Sequence, residues 1–127
     1  QLRSAQGKVI SEENLGGFGV RTVYWDADPQ RELVLGSRIV KYPNRKTPLG
    51  QIEGSLVAVA DVLGDWREEI ITSVPGQMRI YITTIPAKDR RLCFLLDPIY
   101  RIDVAHAAMG YYQVPMLSYD PASTPAP

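Results

Sequence analysis

Trp25-Asp26-Ala27-Asp28-Pro29-Gln30-Arg31-Glu32-Leu33-Val34 recurs in altered form as Asp61-Val62-Leu63-Gly64-Asp65-Trp66-Arg67-Glu68-Glu69-Ile70-Ile71. In each copy an Asp stands four residues before a Glu, and that Glu opens a run of apolar strand formers. The two Glu residues lie 37 positions apart. Self-similarity at such a period is what the blades of a β-propeller, or another solenoid-like array, leave in a sequence. The chain therefore reads as part of a repeating architecture and not as a self-contained enzyme fold.

Outward from these loops, ten Gly and ten Pro punctuate short apolar runs. Segments 19–25, 32–35, 38–42, 56–60, 69–74 and 78–84 are rich in β-branched or aromatic residues and bounded by turn formers, as strands are. Met78-Arg-Ile-Tyr-Ile-Thr-Thr alternates apolar and polar side chains, the period of a half-buried strand. Overlaid, Val20–Trp25 leads into the first acidic loop as Leu56–Ala60 leads into the second. Glu32-Leu-Val-Leu then matches Glu69-Ile-Ile-Thr, and Arg38-Ile-Val-Lys-Tyr matches Met78-Arg-Ile-Tyr-Ile. Each unit reads strand, acidic loop, strand, turn, strand.

A propeller blade has about four strands in roughly 40 residues. The expected fold is all-β: about two four-stranded antiparallel blades, with one short C-terminal helix or closing loop. Residues 1–15 form a lead-in or edge strand, 16–50 the first repeat and 51–96 the second. Residues 97–119 close the unit, and 120–127 are a Pro-rich, extended tail. Within the closing segment Asp97-Pro98 reads as a turn. Ile102, Ala105 and Met109 could share one face of a short helix.

The composition narrows the partners. Hydrophobic content of 45% and charged content of 22% are ordinary for a globular chain of 127 residues. Fourteen basic side chains balance fourteen acidic ones, so there is no electrostatic footprint for nucleic acid or for an anionic membrane. No apolar run reaches the roughly 20 residues of a membrane helix. Cys93, the one cysteine, excludes an intrachain disulfide, and its apolar neighbours Leu92, Phe94, Leu95 and Leu96 point to a buried, inert thiol.

The acidic loops are candidate calcium sites. Calcium takes six to eight oxygen ligands, and an Asp-rich turn closed by a Glu supplies several. Asp61, Asp65 and Glu69 fit such a scheme, with Gly64 at the bend; Asp26, Asp28 and Glu32 repeat it in shortened form. Leu63 stands where a further carboxylate would help, and Pro29 shortens the first loop. The alternative is that these carboxylates form Asx-turns and ion pairs with Arg31 and Arg67. Either way the loops shape the repeats and do not perform chemistry.

Taken together these residues resemble the C-terminal part of the family 11 polysaccharide lyases, the rhamnogalacturonan lyases. The resemblance rests on Val-Tyr-Trp-Asp-Ala-Asp-x-x-Arg-Glu-Leu at 23–33 and Arg-Ile-x-Lys-Tyr at 38–42. It continues in Ala-Asp-x-x-Gly-Asp-Trp-Arg-Glu-Glu-Ile at 60–70 and Arg-Ile-Tyr-x-Thr-Thr at 79–84. Asp-Pro-x-Tyr-Arg at 97–101 and Tyr-x-Gln-x-Pro at 111–115 complete it. It implies an eight-bladed, calcium-loaded propeller, secreted or periplasmic, that cleaves the galacturonate–rhamnose backbone of pectin by β-elimination. A full domain of that kind is several times longer than this chain.

β-Elimination at a galacturonate removes the proton at C5 and expels the oxygen at C4. It needs a cation to neutralise the uronate carboxylate and a base. Lys41, on a strand in the Arg-Ile-x-Lys-Tyr motif, is the first candidate for base or carboxylate-binding cation. Its bland alternative is a solvated strand-edge Lys. Tyr100, in Asp-Pro-Ile-Tyr-Arg, could stack on or hydrogen-bond a sugar, or simply pack with its hydroxyl on the backbone. Arg101 could bind substrate or pair with Asp97 or Asp103. His106, the one histidine, reads as a packed or capping residue. Trp25 and Trp66 read as core, and Tyr111, Tyr112 and Tyr119 as packing residues. The competing function is a non-catalytic, calcium-stabilised β-repeat module that binds polysaccharide or self-assembles. On either reading the partners are pectic polysaccharide and the rest of a propeller, or other copies of the chain.

Overall fold

A computed structural model describes residues 1–15, 20–111 and 113–123. The start of the first repeat at 16–19, Tyr112 and the end of the tail at 124–127 lie outside the described residues. The described chain is mostly antiparallel β-sheet with one short α-helix. Three separate sheets follow one another: β1 (Leu2–Arg3) with β2 (Val9–Ser11), then four strands, then three. The four-stranded sheet comprises β3 (Arg21–Val23), β4 (Glu32–Leu35), β5 (Arg38–Val40) and β6 (Pro48–Gln51), paired in chain order. The three-stranded sheet comprises β7 (Ser55–Ala60), β8 (Glu69–Val74) and β9 (Gln77–Tyr81). The second sheet thus has one strand fewer than the expected four.

Register shows the repeat directly. Val23 pairs with Glu32, and Ala60 with Glu69, so each loop-closing Glu faces the last residue of the incoming strand. The Glu32 carboxylate accepts the backbone N–H groups of Trp25 and Asp26, and Glu69 accepts those of Val62 and Leu63. Acceptors and donors shift by the same 37 residues. The third strands depart from the expected overlay. Leu35 opposes Arg38 across the first hairpin, whereas the equivalent Thr72 opposes Arg79 across a longer one. Arg38 is thus equivalent to Arg79 and not to Met78. Side chains alternate along a strand, so that one-residue change inverts every face assignment in β9.

The strands close one core between the two larger sheets. Val23, Trp25, Val34, Ile39, Ile52, Val59 and Ile70 are buried together, with Leu49, Leu56, Tyr81 and Ile85 at the margin. Gly50 permits this, because a Cβ there would press on the Trp25 indole and the Ile39 side chain. Burying such side chains contributes roughly 1.5–3 kcal/mol each.

Two helical segments follow the sheets: a 3₁₀ turn at Phe94–Leu96, then the 11-residue α1 (Pro98–Ala108). Asp97 is the N-cap, its carboxylate accepting the Ile99 N–H, and Pro98 sits at the first helical position, where a missing N–H costs nothing. Asp97 also accepts the Ser118 N–H, tying the following segment to the helix start. A second cluster of Tyr24, Trp66, Phe94 and Tyr100 lies beneath, with Phe94 edge-on to both Tyr24 and Tyr100. The helix packs through Tyr100 and Val104. Ile102, Ala105 and Met109 do share one face of the helix, as the spacing suggested, and that face is the exposed one. No helix among the described residues is long and apolar enough to cross a membrane.

Candidate functional site

The two acidic loops share a pattern of hydrogen bonds but do different things with their carboxylates. In the first, Asp26, Asp28 and Glu32 each present an oxygen within 4.8 Å of the others, the one such group of three among the described residues. Asx-type turns hold it, with Asp28 N–H donating to Asp26 and Gln30 N–H to Asp28. Lys41 arrives from the end of β5 and donates to both Asp26 and Asp28. Its ammonium stands 3.8 Å from Glu32 Oε1, beyond hydrogen-bond reach.

Glu32 is fully buried, and Oε1 has no hydrogen-bond partner while Oε2 accepts from Trp25 and Asp26. Burial pushes its carboxyl up to about 7, against the backbone hydrogen bonds that oppose the shift. Lys41 is raised as well, for a different reason. Partial burial lowers it, but hydrogen bonds to Asp26 and Asp28 outweigh that and raise it above the ordinary lysine value. A buried carboxylate oxygen that accepts no hydrogen bond and faces two further carboxylates suits a hard cation with oxygen ligands. The first loop fits calcium.

The second loop does not. Asp61 Oδ1 accepts from the N–H groups of Gly64 and Asp65, and Oδ2 from those of Trp66 and Phe94. A carboxylate has about four acceptor sites, so Asp61 is saturated by backbone. Asp65 pairs with Arg67, and one oxygen of Glu69 is taken by Val62 and Leu63. Trp66 explains the divergence. It holds φ +69°, a left-handed conformation rare for a bulky residue, which wraps the loop around Asp61. The equivalent position in the first loop is Pro29, whose ring fixes φ near −65° and excludes that turn.

Tyr100, read as a candidate sugar contact, is fully buried. Its hydroxyl donates to Glu68 Oε1 at 2.7 Å and accepts the Asp61 N–H at 3.0 Å. Burial, then the neighbouring Glu68, push the phenol well above its ordinary value, so it remains a donor. Arg101 is exposed on α1, and no ion pair joins it to Asp97 or Asp103. Those carboxylates are engaged elsewhere, Asp103 with Gln113 and the Met116 N–H. His106 is exposed and meets Tyr111 edge-on at 5.9 Å. Tyr111 is 66% exposed and so is not the packing residue expected of it, whereas Trp25 and Trp66 are core. Cys93 is half-buried, and burial raises its thiol above the ordinary value.

The residue that sequence reasoning missed is Glu68. Wholly buried, it accepts from the Tyr24 N–H, the Tyr100 hydroxyl and both terminal nitrogens of Arg31. Its own N–H donates to the Tyr24 carbonyl. Arg31 continues to the Pro115 carbonyl and lies over the Tyr24 ring at 4.3 Å. One buried ion pair thus links the first loop, the second loop, α1 and the segment after it. A signal existed: Arg31 and Glu68 occupy equivalent repeat positions with opposite charge.

The fold has relatives. Residues 1–122 match the model of rhamnogalacturonan lyase family 11, C-terminal domain, and the chain belongs to that family. Among curated proteins it is 34% identical to rhamnogalacturonan endolyase YesW of Bacillus subtilis and 36% identical to rhamnogalacturonan exolyase YesX of the same organism. Each match covers 93% of the chain. Among solved structures, that of rhamnogalacturonan lyase YesW aligns with TM-score 0.75 at 28% identity, over 98% of the chain. Bacillus licheniformis rhamnogalacturonan lyase PL11 aligns with TM-score 0.73 at 29% identity over the same share. The chain spans 21% and 23% of the two curated relatives and 24% of each solved chain.

Proposed function

We propose that this chain is the closing segment of a rhamnogalacturonan lyase. With the remaining blades of an eight-bladed propeller it cleaves the galacturonate–rhamnose backbone of pectin by β-elimination, and alone it is inactive. What carries the reading is the family match over 1–122, in relatives named as rhamnogalacturonan lyases but four to five times longer.

Within that enzyme the first acidic loop is a calcium site held by Asp26, Asp28 and Glu32. The ion supplies fixed positive charge that settles the loop. Support comes from the orphaned, buried Glu32 Oε1. Lys41 is the substrate-facing cation of the segment. Its ammonium becomes available to a uronate carboxylate when another cation satisfies Asp26 and Asp28, whose oxygens now hold it. A lysine so paired neutralises charge and is a poor proton acceptor. Tyr100 works through position: its hydroxyl, committed to Glu68 and Asp61, sets where α1 and Arg101 sit.

The test is a chimera in which this chain replaces the matching segment of YesW. Ultraviolet absorbance of the unsaturated product is followed with rhamnogalacturonan as substrate. The chimera should turn over and the isolated chain should not. A folded chimera without product, or product from the chain alone, would overturn the reading. Calorimetric titration of the chain with calcium chloride checks the loop, with binding expected for the native sequence and lost in Asp28→Asn.

A further inference from the structure

We propose that the hollow between the second acidic loop and segment 87–91 binds carboxylates of an acidic polysaccharide, with Lys88 and Arg90 as the holding cations. The inference rests on the lyase reading above for the identity of the polymer, and it adds a holding site apart from Lys41.

The hollow measures about 740 Å³, with Gly64, Asp65 and Trp66 on one side and residues 87–91 on the other. That volume lies within the roughly 300–1,000 Å³ of small-ligand sites. Five charged side chains border it, and their pairing decides its sign. Asp65 is neutralised by Arg67, and Asp89 by Arg91. Lys88 and Arg90 are exposed and enter no ion pair or hydrogen bond among the described residues. The hollow is left with an excess of positive charge.

The second acidic loop holds the segment that carries these cations. Arg67 donates to the Ile85 carbonyl, and the Trp66 indole N–H donates to the Asp89 carbonyl at 3.2 Å. Arg91 lies over the Trp66 ring at 5.2 Å and donates to the Pro121 carbonyl. Asp89, the acid between the two free cations, is thereby committed to Arg91 and does not quench them. A loop already pinned loses little freedom when a ligand arrives.

Position and chemistry name the ligand. Burial raises the Asp28 carboxyl, but hydrogen bonds from Lys41 and the Gln30 N–H, with the charges of Lys41 and Lys88, carry it below its ordinary value. Lys88 therefore stands on the first-loop side of the hollow, near the loop that Lys41 serves. No histidine and no unpaired acid borders the hollow, so it lacks a base for elimination and serves to hold. Ammonium and guanidinium groups hold carboxylates through charge-assisted hydrogen bonds. A galacturonate–rhamnose backbone carries a carboxylate on every second sugar, so a long polymer brings more acids than one cleavage site engages.

Nuclear magnetic resonance of the full chain, titrated with a rhamnogalacturonan oligosaccharide, tests the proposal. The Trp66 indole N–H reports on the hollow through its bond to Asp89, and the Trp25 indole, packed against Gly50, is the internal control. Titration should shift the Trp66 resonance and leave that of Trp25 in place. Lys88→Gln/Arg90→Gln should weaken binding roughly tenfold or more, as loss of hydrogen bonds to charged groups entails. Lys8→Gln/Lys46→Gln removes the same charge from exposed sites elsewhere and should bind as the parent does. Equal weakening by both pairs would mean that net charge alone attracts the polymer, and would overturn the proposal. So would equally tight binding of a carboxyl-reduced oligosaccharide or of inorganic phosphate. In the YesW chimera, Lys88→Gln/Arg90→Gln should raise KM for the polymer several-fold and leave kcat unchanged. An active chimera with unchanged KM would overturn the holding site and keep the lyase reading. An inactive chimera beside a chain that still binds through Lys88 and Arg90 would sink the lyase reading and keep the site.

Discussion

Replacing Tyr100 with Phe isolates the contribution of one hydroxyl to the joint between the repeats. The ring would keep its edge contact with Phe94 at 5.5 Å, so no cavity opens. Two hydrogen bonds disappear: the donation to Glu68 Oε1 and the acceptance from the Asp61 N–H. Glu68 Oε1 still has the Arg31 guanidinium at 3.2 Å, which limits the damage on that side. The Asp61 amide, in a wholly buried residue, has nothing in exchange. A hydrogen bond to a charged group contributes about 1.5–3 kcal/mol, and an orphaned buried donor costs about 1–3 kcal/mol. Overlap between the two leaves an expected loss of about 2–4 kcal/mol. For a chain of this size that lowers the melting temperature by roughly 10 °C. Urea denaturation followed by circular dichroism measures the loss, and hydrogen exchange should show faster opening of the Asp61 amide. A Tyr100→Phe protein within about 0.5 kcal/mol of the parent, with the Asp61 amide still protected, would refute the view that this hydroxyl anchors α1.

Three further outcomes follow from the same geometry. Lys41→Met removes the cation shared by Asp26 and Asp28, so in chelator it should lower the melting temperature, and millimolar calcium should more than restore it. Indifference to calcium would count against the loop as a metal site. Without metal, the chain should be more stable near pH 5 than near pH 8, because Glu32 is raised to about 7 by burial. A carboxyl raised on folding contributes stability that is complete below its unfolded value, near 4.5, and is lost as pH rises through 7, here roughly 3 kcal/mol. Thermal melts across that range in chelator check it, and saturating calcium should flatten the slope. Gly54→Ala should cost about 2–4 kcal/mol in a chemical melt, since Gly54 holds φ +90° and a Cβ would collide with the Ser73 carbonyl and the Val74 side chain.

Much of this chain is local and was legible as such. The strands around both loops follow from short apolar runs between turn formers, and the 37-residue spacing reappears as equivalent hydrogen bonds made by Glu32 and Glu69. The α1 start follows from Asp97-Pro98. Its inward face did not, because Ile102 and Met109 carry the same apolar signal whether a neighbour covers them or not. Divergence of the loops was half visible: Pro29 and Leu63 mark the departures, but only the folded backbone shows Asp61 filled by four N–H donors.

The sequence by itself determined the repeat, the strand order within each unit and the residues that could bear charge. Those properties depend on alternation and turn chemistry a few residues long. The tertiary structure decided which charges meet. Lys41 reaches Asp26 across 15 positions, Arg31 reaches Glu68 across 37, and Tyr24 reaches Glu68 across 44. A carboxylate's lone pairs are allotted only when the chain closes around it. Composition and spacing therefore left Asp61 and Asp26 looking alike, and folding made one a backbone staple and the other the partner of the Lys41 ammonium.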